Sequence, residues 1–382
     1  MIKIEIPRTK IFKVNYQKPS FHSHKADFDY INKVAKKYSK YKNFIILANG
    51  GSRTSAEAFY RLSKNKKKFK FITTMEPEVL NYTNKYPKES TLIIPISKSG
   101  TNVCPIEGLL YFLKKGYKVL PITSSDRGVL KEISDAKKLD YVIHPNIGGR
   151  YSGATTCALF PAKLMGLNIE EISKGAKSMY KKCMKIDESN PALKIASYLY
   201  KFEKKGYTEV FTPIYSYFYS GFLPLIIQLM HESFGKNKSG LTFYGDQGPE
   251  MQHHTNQRFF GGRRNSVGMF IGVKDHSDIK LTVPSELKDI KLRTGTLGDL
   301  NNLHLKNALR YEMESNIKEA RLLKIPNIVI EIEKADEYNF GEFLGLMQYV
   351  AVYSSWLRKV DPFDQPEVEH SKEASFDMIK NV

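Results

Sequence analysis

Short apolar runs closed by glycine- and serine-rich turns set the rhythm of the first half of the chain. Residues 43–48, Asn-Phe-Ile-Ile-Leu-Ala, are such a run and give way to Asn49-Gly50-Gly51-Ser52. A run too short for a helix and ended by turn residues predicts a buried strand entering a tight turn. From Thr54 the period changes, with Ala56, Phe59, Tyr60 and Leu62 recurring at helical spacing. Strand-like runs at 70–74, 91–96, 117–122 and 141–144 then alternate with helix-like segments. That alternation predicts a parallel sheet with helices on both faces. A polar, lysine-rich patch at 201–206 interrupts it, and 209–213 opens a second series with strands at 266–272 and 327–332 and a long helix at 341–356. The reading is an α/β chain of two tandem doubly wound domains, 1–205 and 206–350, followed by a polar tail at 351–382. The first 40 or so residues carry no comparable signal.

Composition narrows this picture. A chain of 382 residues, 41% hydrophobic and 26% charged, can bury two cores and is not disordered for most of its length. No apolar run approaches the roughly 20 residues of a spanning helix. The N-terminus carries Glu5 and lacks an apolar block ending in small residues, so no secretory leader is read and the expected location is the cytoplasm. Cys104, Cys157 and Cys183 are an odd, widely spaced set, with neither a disulfide framework nor a CxxC site. The formal charge of +19 raises the question of nucleic acid. Lysine is spread along the whole chain, however, and its densest cluster, Lys64, Lys66, Lys67, Lys68 and Lys70, has no basic helix or aromatic stripe with it. It reads as solvated surface, and neither nucleic acid nor membrane is an expected partner. A positive field would equally attract a sugar-phosphate dianion.

Two turns stand where an open α/β sheet binds ligands: Gly50-Gly51-Ser52 and Ser97-Lys98-Ser99-Gly100-Thr101-Asn102. In the second, hydroxyls and backbone N–H groups can be aimed at one phosphate, with a helix dipole assisting. It lacks the GxxxxGK[ST] of a nucleotide loop, so no nucleotide is implied.

These turns resemble the sugar-phosphate loops of sugar isomerase (SIS) domains, and four further segments follow in the order seen in the phosphoglucose isomerase family. They are Gly148-Gly149-Arg150-Tyr151-Ser152; the stretch from Gln228 through His231-Glu232-Ser233-Phe234-Gly235-Lys236; Gln252-His253-His254-Thr255-Asn256-Gln257; and the stretch from Phe363-Asp364-Gln365 to Lys372. Together with the loops they extend from position 50 to 372.

The resemblance implies a cofactor-free, metal-free isomerase of two SIS domains, with Glu232 as the base between sugar carbons 1 and 2. It further implies ring opening by His253 and Lys372, and Arg150 as the cation beside the enediolate. Phosphate contacts fall to Ser97, Lys98, Ser99, Thr101 and Asn102, and sugar or nearby contacts to Gly51, Ser52, Gln228 and Gln365. A homodimer with shared active sites is implied, the histidine coming from the partner subunit. The adjacent His253 and His254 diverge too far to chelate a metal together on a helix.

Glu314-Ser315-Asn316 looks closer to the family's usual Glu-Ser-Asn, but it follows His253 where the family places the base before it. Asn102 stands for the usual threonine, Arg53 for a smaller residue and Phe234 for asparagine. Alternatives are an isomerase that also accepts mannose 6-phosphate, and a sugar-phosphate-binding regulator that has lost catalysis. Retention of Glu232, His253, Lys372 and Arg150 argues against the regulator.

Overall fold

A computed structural model describes residues 1–64 and 67–380. Lys66 of the lysine cluster lies outside the described residues. The strands are β1 (Ile2–Glu5), β2 (Asn43–Leu47), β3 (Lys68–Ile72), β4 (Thr91–Pro95), β5 (Lys118–Val119), β6 (Ile122–Thr123), β7 (Val142–Ile143), β8 (Glu209–Phe211), β9 (Ile214–Tyr215), β10 (Thr242–Tyr244), β11 (Ser266–Asp275), the hairpin β12 (Lys291–Leu292) and β13 (Gly295–Thr296), and β14 (Asn327–Lys334). One sheet runs β3-β2-β4-β5, parallel throughout, and the bridge between Ile96 and Ile122 leads on to the parallel pair β6-β7. The second runs β1-β14-β11-β8-β10, with β9 also on β11.

Both faces of each sheet are buried, and the strand period of two divides the side chains between them. On β2, Phe44 and Ile46 enter a large central cluster, while Ile45 and Leu47 enter a separate outer one. On β11, Val267, Met269 and Ile271 face the same central cluster and Phe270 faces a third. The two sheets therefore share one core. Its centre is the helix Glu337–Leu357, which is buried nearly all round and packed by the helices Ile169–Cys183 and Pro191–Glu203.

Three differences from the sequence reading have physical causes. The run at 117–122 is divided into β5 and β6, and the one at 209–213 stops at Phe211 before β9 resumes, because Pro121 and Pro213 have no N–H for the ladder. Their carbonyls still accept, from Val142 and Ile271 respectively. The N-terminal stretch is also not irregular. β1 pairs antiparallel with β14, placing residues 2–5 in the second sheet although they precede the first. Its Ile-Lys-Ile-Glu alternation was the available signal. The helix Phe28–Lys37 was marked by Asp27, whose carboxylate caps the N–H of Tyr30. The chain thus crosses the 205/206 division at its beginning, and the helix Glu337–Leu357 crosses the 350/351 division near its end. No helix of the described residues is long and apolar enough to cross a membrane.

Candidate active site

After the strand β2 the chain turns through Asn49-Gly50 into the helix Gly51–Leu62. Gly50 has φ of 62°, a conformation that an L side chain resists, and its carbonyl accepts from the N–H groups of Arg53 and Thr54. Gly51 permits a close approach: a Cβ there would stand 2.1 Å from the backbone nitrogen of Arg150. The Gly-Gly pair is what lets the segment carrying Arg150 lie against the start of this helix.

Arg150 sits on the 3-10 turn Gly149–Ala154 and its side chain is almost wholly buried. All five of its N–H donors are directed at acceptors. Nε donates to Ser233 Oγ at 3.1 Å. Nη1 donates to Glu232 Oε2 at 3.1 Å and to Gln365 Oε1. Nη2 donates to the carbonyl oxygens of Pro362 at 2.7 Å and Asp364 at 2.8 Å. The guanidinium thus ties the first sheet's loops to the helix Leu223–Phe234 and to the segment 362–365.

On that helix Gln228 and Glu232 are one turn apart on one face. Gln228 Nε2 donates to Glu232 Oε1 at 2.8 Å, while Gln228 Oε1 accepts from Thr54 Oγ1 at 2.9 Å. Both carboxylate oxygens are held, yet the side chain remains 27% exposed, open to a ligand on one side. The neighbouring His231 faces the sheet: its Nε2 accepts from the Phe243 N–H, and burial holds its pKa below the ordinary value.

The loop 97–102 joins this centre through two side-chain contacts. Asn102 Nδ2 donates to Asn49 Oδ1 at 3.4 Å, and Lys98 Nζ donates to Asn146 Oδ1 at 3.3 Å, four residues before Arg150. Ser97 Oγ is turned inward to accept the Gly100 N–H, whereas Ser99 and Thr101 are exposed with their hydroxyls 2.8 Å apart. The helix Val103–Lys114 begins there without a side-chain cap, leaving its first N–H groups for an anion.

Gly51, Ser52, Arg150, Gln228, Glu232 and Gln365 therefore gather, with the loop 97–102 adjoining. Two sequence-predicted residues do not join them. His253 lies exposed on the turn Glu250–His253, with no hydrogen bond or ion pair to any of these groups among the described residues. Its neighbour Gln252 donates to Tyr215 Oη instead, at 3.1 Å. Lys372 lies on the helix Glu369–Lys380, which buries none of its residues, and pairs with Glu369 at 2.7 Å. Glu314, the competing acid, pairs with Arg310 on an exposed helix face and borders a different cavity of about 570 Å³.

Sequence reasoning missed Thr54, Ser233, Asn146 and Lys236. Lys236 is buried and ion-paired with Asp364, whose carbonyl it also holds at 2.8 Å. Ser233, Lys236 and Asp364 lay within the segments that carry the resemblance, and that was their signal.

No protein-family model matches the chain. It is 27% identical over 379 residues to the glucose-6-phosphate isomerase of Acholeplasma laidlawii, covering 93% of this chain and 87% of that protein. Among solved structures, it superposes on a hypothetical protein of Thermus thermophilus with a TM-score of 0.86 at 21% identity, covering 94% of this chain and 89% of the other. It superposes on the glucose-6-phosphate isomerase of Chlamydia trachomatis with a TM-score of 0.79 at 17% identity, covering 97% and 80%. The structural likenesses establish a shared fold.

Proposed function

We propose that this chain, a homologue of the glucose-6-phosphate isomerases, interconverts D-glucose 6-phosphate and D-fructose 6-phosphate through a cis-enediolate. The observation that carries the reading is the pairing of a half-open carboxylate with a buried, fully bonded guanidinium: Glu232 and Arg150 at 3.1 Å. Aldose–ketose exchange moves one proton from carbon 2 to carbon 1 and another from oxygen 2 to oxygen 1. A carboxylate accessible on one side can take the first from carbon 2 and return it to carbon 1. The charge that develops on the oxygens meets a cation that need not reorganise, because every other donor of Arg150 is already bonded to protein. Gln228 and Thr54 hold the carboxylate's other oxygen in place.

The phosphate is bound by the loop 97–102, with Ser99, Thr101 and the uncapped helix start as donors and Lys98 as the cation. His253 and Lys372 open the pyranose ring. His253 acts from the partner subunit of a homodimer, a reading supported by its exposure and by its lack of side-chain bonds among the described residues of one chain. Lys372 acts after its exposed helix comes over the site. The substrate class accords with a cytoplasmic protein.

The test is a coupled assay with glucose 6-phosphate and, separately, mannose 6-phosphate on chelator-treated protein. Wild type is expected to turn over the first, and Glu232→Gln to lose about 10³-fold in kcat. Full activity in that variant removes Glu232 from its role.

A further inference from the structure

Directly behind Ser52 lies a buried thiol–imidazole pair that the chemistry above leaves unused. His144 is 2% exposed. Its Nδ1 lies 2.8 Å from the Pro145 carbonyl, so Nδ1 carries a proton and donates it there. Its Nε2 is buried without a hydrogen-bond partner among the described residues, a costly arrangement that calls for an explanation. Cys157, wholly buried on the helix Thr156–Leu164, is the group whose charge acts on this imidazole. Burial alone would push the thiol up and the imidazole down. Their mutual attraction outweighs this, so the thiol is held below its ordinary value and the imidazole above.

The sulfur also bridges the two glycine turns of the site. It lies 3.7 Å from Ser152 Oγ and 4.0 Å from Ser52 Oγ. Ser152 has one hydroxyl proton, and a much shorter contact, 2.7 Å to the Gly149 carbonyl, claims it. Among the described residues Ser52 Oγ has no comparably short contact, so the sulfur is the group that can set its direction. A proton on the sulfur, donated to Ser52 Oγ, turns the Ser52 proton outward as a donor to a sugar oxygen.

We propose that Cys157 is a positioning residue that fixes the direction of the Ser52 hydroxyl toward the sugar. The proposal rests on the functional reading above, which makes Ser52 a sugar contact. The pair moves no proton to or from carbon, so its effect falls on binding of the sugar portion and spares both proton transfer and phosphate recognition.

The experiment is a double-mutant cycle of Cys157→Val and Ser52→Ala, with Cys157→Ser as the conservative rescue and thermal unfolding recorded for each. One hydrogen bond of ordinary strength corresponds to about 3- to 10-fold in affinity. Cys157→Val is expected to raise KM for glucose 6-phosphate by about that factor with kcat retained and inhibition by inorganic phosphate unchanged. Cys157→Ser should recover most of the loss, and Cys157→Val should add nothing in the Ser52→Ala background. An unchanged KM in a folded Cys157→Val protein overturns the proposal. So does full additivity with Ser52→Ala, or equal weakening of inorganic phosphate, which marks general loop damage. A wild type that binds glucose 6-phosphate by calorimetry without isomerising it fails the functional reading alone, and the same cycle read as binding affinity still decides the role of Cys157.

Discussion

The neighbourhood of Arg150 and the neighbourhoods of His253 and Lys372 differ in almost every physical respect. Arg150 is buried and all five donors are bonded; Glu232 is held through both oxygens. His253 is exposed and unbonded among the described residues, and Lys372 rides on a helix with no buried residue. The groups assigned to proton transfer at carbon are thus preassembled within one chain, whereas those assigned to ring opening stand apart from them and exposed. Preassembly suits the first task, since charge stabilisation gains most from groups that need not reorganise. Groups that open and close a ring must admit and release a bulky pyranose, and exposure is compatible with that.

The sharpest way to break this contrast is Arg150→Lys. An ammonium has three donors on a flexible stem and cannot reproduce five fixed bonds. It leaves the Pro362 carbonyl or Glu232 Oε2 without its donor, while the Asp364 carbonyl keeps Lys236. We expect kcat to fall by about 10²- to 10³-fold and stability by several kcal/mol, read by steady-state kinetics and thermal unfolding. Near-wild-type values for both would erase the distinction between the regions.

His253→Ala should lower kcat by about 10²-fold while leaving the melting temperature unchanged, because the residue supports nothing around it. Mixed after subunit exchange with Glu232→Gln, it should regain activity well above either parent, since one site of each heterodimer then holds both intact groups. No recovery in verified heterodimers would remove the shared site. Lys372→Ala should cost about 10-fold in activity, again without a change in melting temperature, its one ion-pair partner among the described residues being Glu369 in a solvated pair.

The smallest effect concerns stability far from either region. Burial favours the neutral acid at Glu209, but hydrogen bonds from Ser266, Asn265 and Arg258 outweigh it and hold the pKa below its ordinary 4.5. A depressed carboxylate stabilises the fold above the unfolded value and loses that contribution as the pH falls through the folded one. Glu209→Gln should therefore cost about 1 kcal/mol at neutral pH and progressively less below pH 4.5, followed by denaturant unfolding at each pH.

Sequence alone determined what was written locally. The apolar run of β2 and the turn after it, the helix that follows, and the loop 97–102 were legible because strand burial, glycine turns and helix starts leave short-range marks. The order of six motifs between positions 50 and 372 pointed to the site residues through resemblance. Only the tertiary structure decided that β1 joins the sheet farthest from it in sequence and that both sheets share one core. Tertiary structure alone also turned Arg150 toward the segment 362–365, through Gln365 and the carbonyls of Pro362 and Asp364. A strand pattern names the face that is buried but not the partner that buries it. An arginine in a turn does not reveal which distant carbonyls will meet it, because long-range contacts are selected by the packing of the whole chain.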